Sequence, residues 1–301
     1  MVVTSGLAGP AAADAPATPV AASCSADRPV HTVLPTRAPL VDWSENLGVD
    51  GAGNLWVSRV YRNAVEKYDS NGQLVTSVPV TSPGAVRLGP DGLLYVTFGN
   101  SPFTGLTSQG GVVRFDPAAS TPQPEVFISG LGQANGAAFD GDGNLYVADT
   151  SANSVERIRP DGSIDAAWTD SARTALSANG SGADGVVVAG RTLYVTLLES
   201  QTARVVALPI DDPARATVAV DLSPATLTPP LLPDDLAIGA DGLLYIATGT
   251  GQLVRADPAA HTSCVLLSGE PLTSVVLSPT DNSVLILGTE FGDVLKTHIT
   301  Y

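Results

Sequence analysis

Glu45, Asp184 and Asp234 are the acids whose places in the chain carry the most chemistry. They sit in short tracts of one kind: SENLGVD at 44–50, GADGVVV at 182–188 and LPDDLAIG at 232–239. Three further tracts, SPGAVRL at 82–88, QANGAAFD at 133–140 and PLTSVVLS at 271–278, put Gly84, Asn135 and Thr273 at equivalent places. If the six tracts open the inner strands of a ring, three carboxylates and an amide converge at one mouth. Like charges crowded in this way repel unless something neutralises them. A hard divalent cation held by carboxylate and amide oxygens would do so, and such ligands suit Ca²⁺ or Mg²⁺. The competing reading has each acid capping a turn of its own around a channel that holds only water.

The elements that must position these residues are legible from a repeated phrase. It reads DGAGNLWVS at 50–58, GPDGLLYVT at 89–97, DGDGNLYVA at 140–148, AGRTLYVT at 189–196 and GADGLLYIA at 239–247, with a degraded copy, PTDNSVLIL, at 279–287. Each copy joins a Gly/Asp/Asn turn to a β-branched and aromatic run, the pattern of a tight hairpin entering a buried strand. Alternating runs follow, such as AVEKYDSNG at 64–72 and GVVRFDP at 111–117, and read as half-buried strands. Units of roughly 40–50 residues with four strands each predict a six-bladed, all-β propeller. The last unit lacks its outer strand, and residues 28–37, RPVHTVLPTR, are expected to supply it and close the ring.

Composition narrows the function classes. The 301 residues carry 30 acids against 15 Lys and Arg, a net charge of −15, which disfavours nucleic acid as a partner. No apolar run reaches the ~18 residues of a membrane-spanning helix. Residues 1–26, rich in Ala, Pro and Thr, read as the remnant of a secretory signal and a disordered leader, and 27–301 as a single propeller domain. Secretion and an even cysteine count permit one disulfide between Cys24 and Cys264, the alternative being two free thiols.

The phrases NGAAFDGDGNLYVADT (135–150), SENLGVDGAGNLWVS (44–58) and PDDLAIGADGLLYIA (233–247) resemble the senescence-marker-protein/gluconolactonase/luciferin-regenerating-enzyme-like family of six-bladed propellers, over about residues 28–301. The resemblance implies a divalent metal held by Glu45, Asp184 and Asp234, with Ca²⁺ the first expectation and Zn²⁺, Mn²⁺ or Mg²⁺ as alternatives. It implies substrate binding by Asn135 and, where the family has an arginine, by Gln133. It makes Asp234 the residue that assists proton transfer. Asp184 stands where the family has an asparagine, which keeps an oxygen ligand and adds a charge. The expected activity is hydrolysis of a lactone or related cyclic ester by a secreted monomer acting on a small molecule. The alternative is a non-catalytic, NHL-like propeller that binds a ligand or protein around a structural calcium.

Other candidates are weaker. His31, His261 and His298 are scattered, and Ser44 and Ser82 lack a nucleophile elbow. The DGDG at 140–143 lacks the downstream glutamate of a calcium loop and reads as a hairpin turn. Trp43 and Trp56 flank Glu45 as inter-blade packing or as a ligand wall. The tract NSPFTGLTSQGG, 100–111, reads as a lid or as a plain insertion.

Overall fold

In a computed structural model of the chain, residues 22–24, 28–101, 106–107, 109–223 and 231–299 are described. Residues 1–21 and 25–27, most of the segment read from the sequence as a signal remnant and leader, therefore lie outside the described residues. Six sheets form a ring, as the repeat predicts. Their inner strands are Ser44–Val49, Val86–Leu88, Ala134–Phe139, Ala183–Ala189, Pro233–Ile238 and Leu272–Leu277. Each packs against the next, and the sixth packs against the first. No blade could bury both faces alone; the ring supplies each with two neighbours.

The repeated phrase works through its aspartates. Asp50 accepts the backbone N–H groups of Ala52 (3.0 Å) and Asn54 (2.9 Å) and the indole N–H of Trp56 (3.0 Å). Asp140 accepts those of Asp142 and Asn144, and the Tyr146 hydroxyl, all at 2.9 Å. In the second and fifth blades the acid comes later in the turn, and Asp91 and Asp241 hold Tyr95 (2.9 Å) and Tyr245 (3.0 Å). One carboxylate thus folds the hairpin and anchors the large aromatic of the strand it feeds. DGDG at 140–143 is such a turn, as expected. Trp56 is fully buried with its ring centroid 5.4 Å from that of Phe115 in the next blade, so this tryptophan is inter-blade packing.

The ring closes where the sequence places the closure. Val30–Leu34 pairs antiparallel with Val294–His298 as the outer strand of the sixth blade. Beside it, Arg59 is buried and donates to the carbonyls of Asp42 (2.6 Å) and Gly292 (2.9 Å), tying the first blade to the last. Cys24 is bonded to Cys264, which lies in the outer strand Thr262–Ser268 of the fifth blade. The end of the predicted leader is not loose: Ala22–Ser23 adds to that outer strand in parallel.

The third blade departs from the other five. Its sheet has three strands, and the helix Ala166–Ser177 occupies the place of the fourth. Asp165 caps the helix by accepting from the Trp168 N–H. Trp168, Ala172 and Leu176, four residues apart, bury one face against the third and fourth blades.

The disulfide closes a sequence separation of 240 residues. Reduction, or Cys264→Ser, is expected to lower unfolding free energy by about 2–5 kcal/mol while the β-sheet circular-dichroism signal persists. The ring-closing strand does not depend on the bridge. Denaturant titration with and without reductant measures the difference.

Candidate metal and substrate site at the channel mouth

The inner strands are not regular where the chemistry sits. Pairing with the second strand slips between Ser44 and Asn46, between Ala134 and Ala137, between Ala183 and Val186, and between Pro233 and Leu236. Glu45, Asn135, Asp184 and Asp234 each fall inside one of these bulges. A bulge re-aims a side chain that alternation would send into a sheet face. All four side chains, with Gln133, line one cavity of about 510 Å³. The structure therefore brings together the five residues expected from the sequence. Gly84 and Thr273, at the two remaining equivalent places, are not in its lining; Thr273 donates its hydroxyl to the Ser44 carbonyl beside Glu45.

Close approach of neighbouring inner strands fixes the spacing. A Cβ on Gly136 would collide with the Asp184 carbonyl, and one on Gly185 would lie 2.5 Å from that of Asp234. Buried hydroxyls complete the alignment. Ser58 donates to the Gly84 carbonyl (2.5 Å), Thr97 to that of Asn135 (2.7 Å) and Thr196 to that of Asp234 (2.6 Å). Thr196 also accepts the N–H of Gly185 at 2.7 Å, so one side chain bridges the strands that carry Asp184 and Asp234. These hydroxyls are the last residues of three copies of the repeated phrase, LWVS and twice LYVT. That is the signal by which sequence reasoning could have found them.

Asn100 was not foreseen. It donates to Glu45 Oε1 and, at 3.1 Å, to Asn135 Oδ1, while its own Oδ1 accepts from Gln133 Nε2 at 3.1 Å. Trp43 donates its indole N–H to Glu45 Oε2 at 2.5 Å and lines the cavity, so it is the wall and Trp56 is not. Asn100 belongs to the tract read as a lid or a plain insertion; residues 102–105 and 108 of that tract lie outside the described residues. Below the mouth, Asp235 is buried, accepts from Asn46 Nδ2 (3.1 Å) and lies 3.5 Å from the Arg87 guanidinium. Arg87 also donates to Asn46 Oδ1 (2.7 Å) and the Ala137 carbonyl (2.7 Å), so it links inner strands of the first, second, third and fifth blades. Beyond it, Phe139, Ile238 and Leu277 line a second, largely apolar cavity of about 340 Å³. His31 and His298 lie exposed on the ring-closing strand pair, and His261 faces the Ala219 carbonyl, all away from the mouth.

Electrostatics sets the mouth apart. Burial pushes the Glu45 carboxyl up to about 7, against hydrogen bonds from Trp43 and Asn100 and with help from Asp235 and Glu290. Burial, then the charges of Glu45, Asp235 and Glu199, hold Asp184 well above the usual carboxylate range. Burial, then Asp184, Glu45, Asp235 and Glu290, do the same to Asp234. Asp184 is 2% exposed, and its Oδ2 has no hydrogen-bond partner among the described residues. A buried acceptor without a partner is costly unless a proton or cation reaches it. The donor set, carboxylate and amide oxygens throughout, fits a hard divalent cation. As they stand, no three His, Cys, Asp or Glu side chains among the described residues enclose a common point. Both oxygens of Glu45 accept hydrogen bonds, one from Trp43 and one from Asn100.

These features define a six-bladed propeller with an acidic, amide-lined mouth. No protein-family profile matches the sequence, and no curated protein matches it. Among solved structures the chain is similar to a gluconolactonase from Xanthomonas campestris, at 14% identity and TM-score 0.65, over 95% of this chain and 99% of that one. It is similar to the calcium-binding protein regucalcin from Agrobacterium tumefaciens, at 16% identity and TM-score 0.64, over 89% and 96% of the two chains. It is also similar to a virginiamycin B lyase from Staphylococcus aureus, at 11% identity and TM-score 0.59, over 91% and 100%. At such identities the likeness is one of fold.

Two measurements check the site. Thr196→Val leaves the Asp234 carbonyl and the Gly185 N–H unpaired, at an expected cost of about 1–3 kcal/mol, whereas Thr196→Ser keeps both bonds. Denaturant midpoints of the two variants report the difference. The second concerns pH. Glu45 titrates at about 7 in the fold against an ordinary 4.5, so the fold binds the proton more tightly than the unfolded chain does. Its contribution is complete below pH 4.5 and is lost as pH rises through about 7. Without divalent cations, stability is expected to fall between pH 5 and 8, and to fall less in Glu45→Gln.

Proposed function

We propose that the chain is an exported hydrolase of lactones or related cyclic esters that works with a divalent cation at the channel mouth. The observation that carries this reading is the buried, unpartnered Asp184 oxygen, set beside Glu45 and Asp234 in a cavity with room for a small molecule. The gluconolactonase and regucalcin folds agree with it at the level of architecture. The Cys24–Cys264 bond suits an oxidising compartment and supports export.

Glu45, Asp184 and Asp234 would hold the cation, with calcium the first expectation. When bound, it supplies Lewis acidity toward an ester carbonyl. Asn135 has its Oδ1 engaged by Asn100, which leaves its Nδ2 hydrogens to orient a substrate oxygen. Asp234 is half-buried beside the cavity, and burial with the neighbouring acids holds its carboxyl well above the usual carboxylate range, so it binds a proton more readily than a free carboxylate does. It takes the proton of the attacking water as the water oxygen bonds to the carbonyl carbon. The ring C–O bond then breaks, and the alkoxide leaves as a hydroxyl with that proton.

The other reading, a non-catalytic propeller around a calcium plug, requires a sealed ion. The cavity opens directly beside the carboxylates, which favours hydrolysis. Chelator-stripped protein is expected to be inert on a lactone panel and to regain activity with Ca²⁺, Mn²⁺ or Zn²⁺. Asp234→Ala is expected to lose about 10²–10³-fold in kcat/KM. Wild type and Asp234→Ala equally inert with every metal would leave only the binding role.

A further inference from the structure

We infer that the mouth selects uncharged cyclic esters bearing an aromatic or apolar substituent and turns away anionic ones, an inference that rests on the hydrolase reading. The charge count comes first. Among the described residues that line the cavity, three are carboxylates and none is Lys, Arg or His. A divalent cation offsets two of the three negative charges. The adjoining Asp235 and Arg87 cancel each other, and Arg87 is committed to Asn46, the Ala137 carbonyl and Asp235. The loaded mouth is therefore still net negative, in surroundings where charges are poorly screened. An anionic substituent entering it meets that net negative charge and, among the described lining residues, no Lys, Arg or His to pair with.

The walls say what enters instead. Gln133, Asn100 and Asn135 form a chain of neutral amides in the lining, suited to ester and hydroxyl oxygens. The Trp43 and Tyr61 rings, which also line the cavity, meet edge to face, 5.6 Å between centroids. Tyr61 is 61% exposed although it lines the cavity, and Val60 and Leu198 extend the apolar surface. An exposed aromatic at a pocket rim is a platform for another ring. The same charge balance acts on the product. Ring opening turns a neutral lactone into a hydroxy carboxylate, and the mouth that admitted the substrate repels what it has made.

A matched pair of aryl-substituted lactones, identical but for a carboxylate on the aryl ring, tests this with cation-loaded wild-type protein. The uncharged member is expected to exceed the anionic one in kcat/KM by about tenfold or more. Leu198→Lys is expected to close that gap by raising the anionic member, and Tyr61→Ala to raise KM for the aryl lactone but not for an unsubstituted one. Calorimetry with the corresponding uncharged and carboxylate-bearing lactams, which are not hydrolysed, should give the same order of affinity. Equal rates and equal affinities for the two members would overturn the inference while the hydrolase reading stands. If no lactone is turned over, the hydrolase reading falls; an anionic lactam bound as well as the neutral one then overturns the selectivity as well.

Discussion

Inner strands that nearly touch are what the rest of this molecule depends on. Six sheets can close a ring only if their innermost strands pack edge to edge, and here the backbone of one blade lies where a side chain of its neighbour would be. Gly185 has room for no Cβ because the Asp234 carbonyl is there, and Gly136 stands in the same relation to Asp184. At these places the main chain does the packing and the side chains are released from it. Bulges then turn the released residues toward the axis. The ring's tightness and its acidic mouth are one geometrical fact, and the hydroxyls of Ser58, Thr97 and Thr196 lock it from blade to blade.

That geometry creates an electrostatic problem which the fold solves in part. Glu45, Asp184, Asp234 and Asp235 share a poorly solvated space, and their charged forms raise one another's proton affinity. Asp235 is relieved by Arg87 and Asn46, and Glu45 by Trp43 and Asn100. Asp184 has no such relief at Oδ2. The satisfied acids are structural as well as chemical, whereas the unsatisfied one stores a demand for positive charge. On the proposed reading, proton and metal ion compete to meet it, so occupancy by an ion is coupled to pH.

Much of this was legible in the sequence, for identifiable reasons. A repeat that feeds the same strand six times specifies the blades, and counting back from its turn finds the mouth, because ring symmetry makes equal register mean equal position. The closing strand at Val30–Leu34 follows from the missing strand at the other end. The helix Ala166–Ser177 was hidden because the repeat sets an expectation of a fourth strand, although apolar residues at 168, 172 and 176 carry helical spacing. Asn100 was hidden because it lies just past the strand Leu94–Phe98, where the repeat has no phrase to align. Arg87 carried a signal that went unused: a lone basic residue in an inner strand of a chain with only 15 Lys and Arg must find carboxylates.

The third carboxylate at position 184 reaches beyond metal affinity. An amide there would leave two acids to balance a divalent ion, and the loaded mouth would be neutral. With Asp184 it keeps a negative charge, and Arg87 cannot correct this because it is already spent on Asp235 below. The amide wall of Gln133, Asn100 and Asn135 adds no charge of either sign. On the proposed reading, substrate selection then falls to desolvation and shape: a neutral ring loses little on leaving water and gains the Trp43–Tyr61 surface, while an anion loses its hydration and gains repulsion. On the proposed reading, the residue that calls for the ion is thus also the one that decides what can sit beside it.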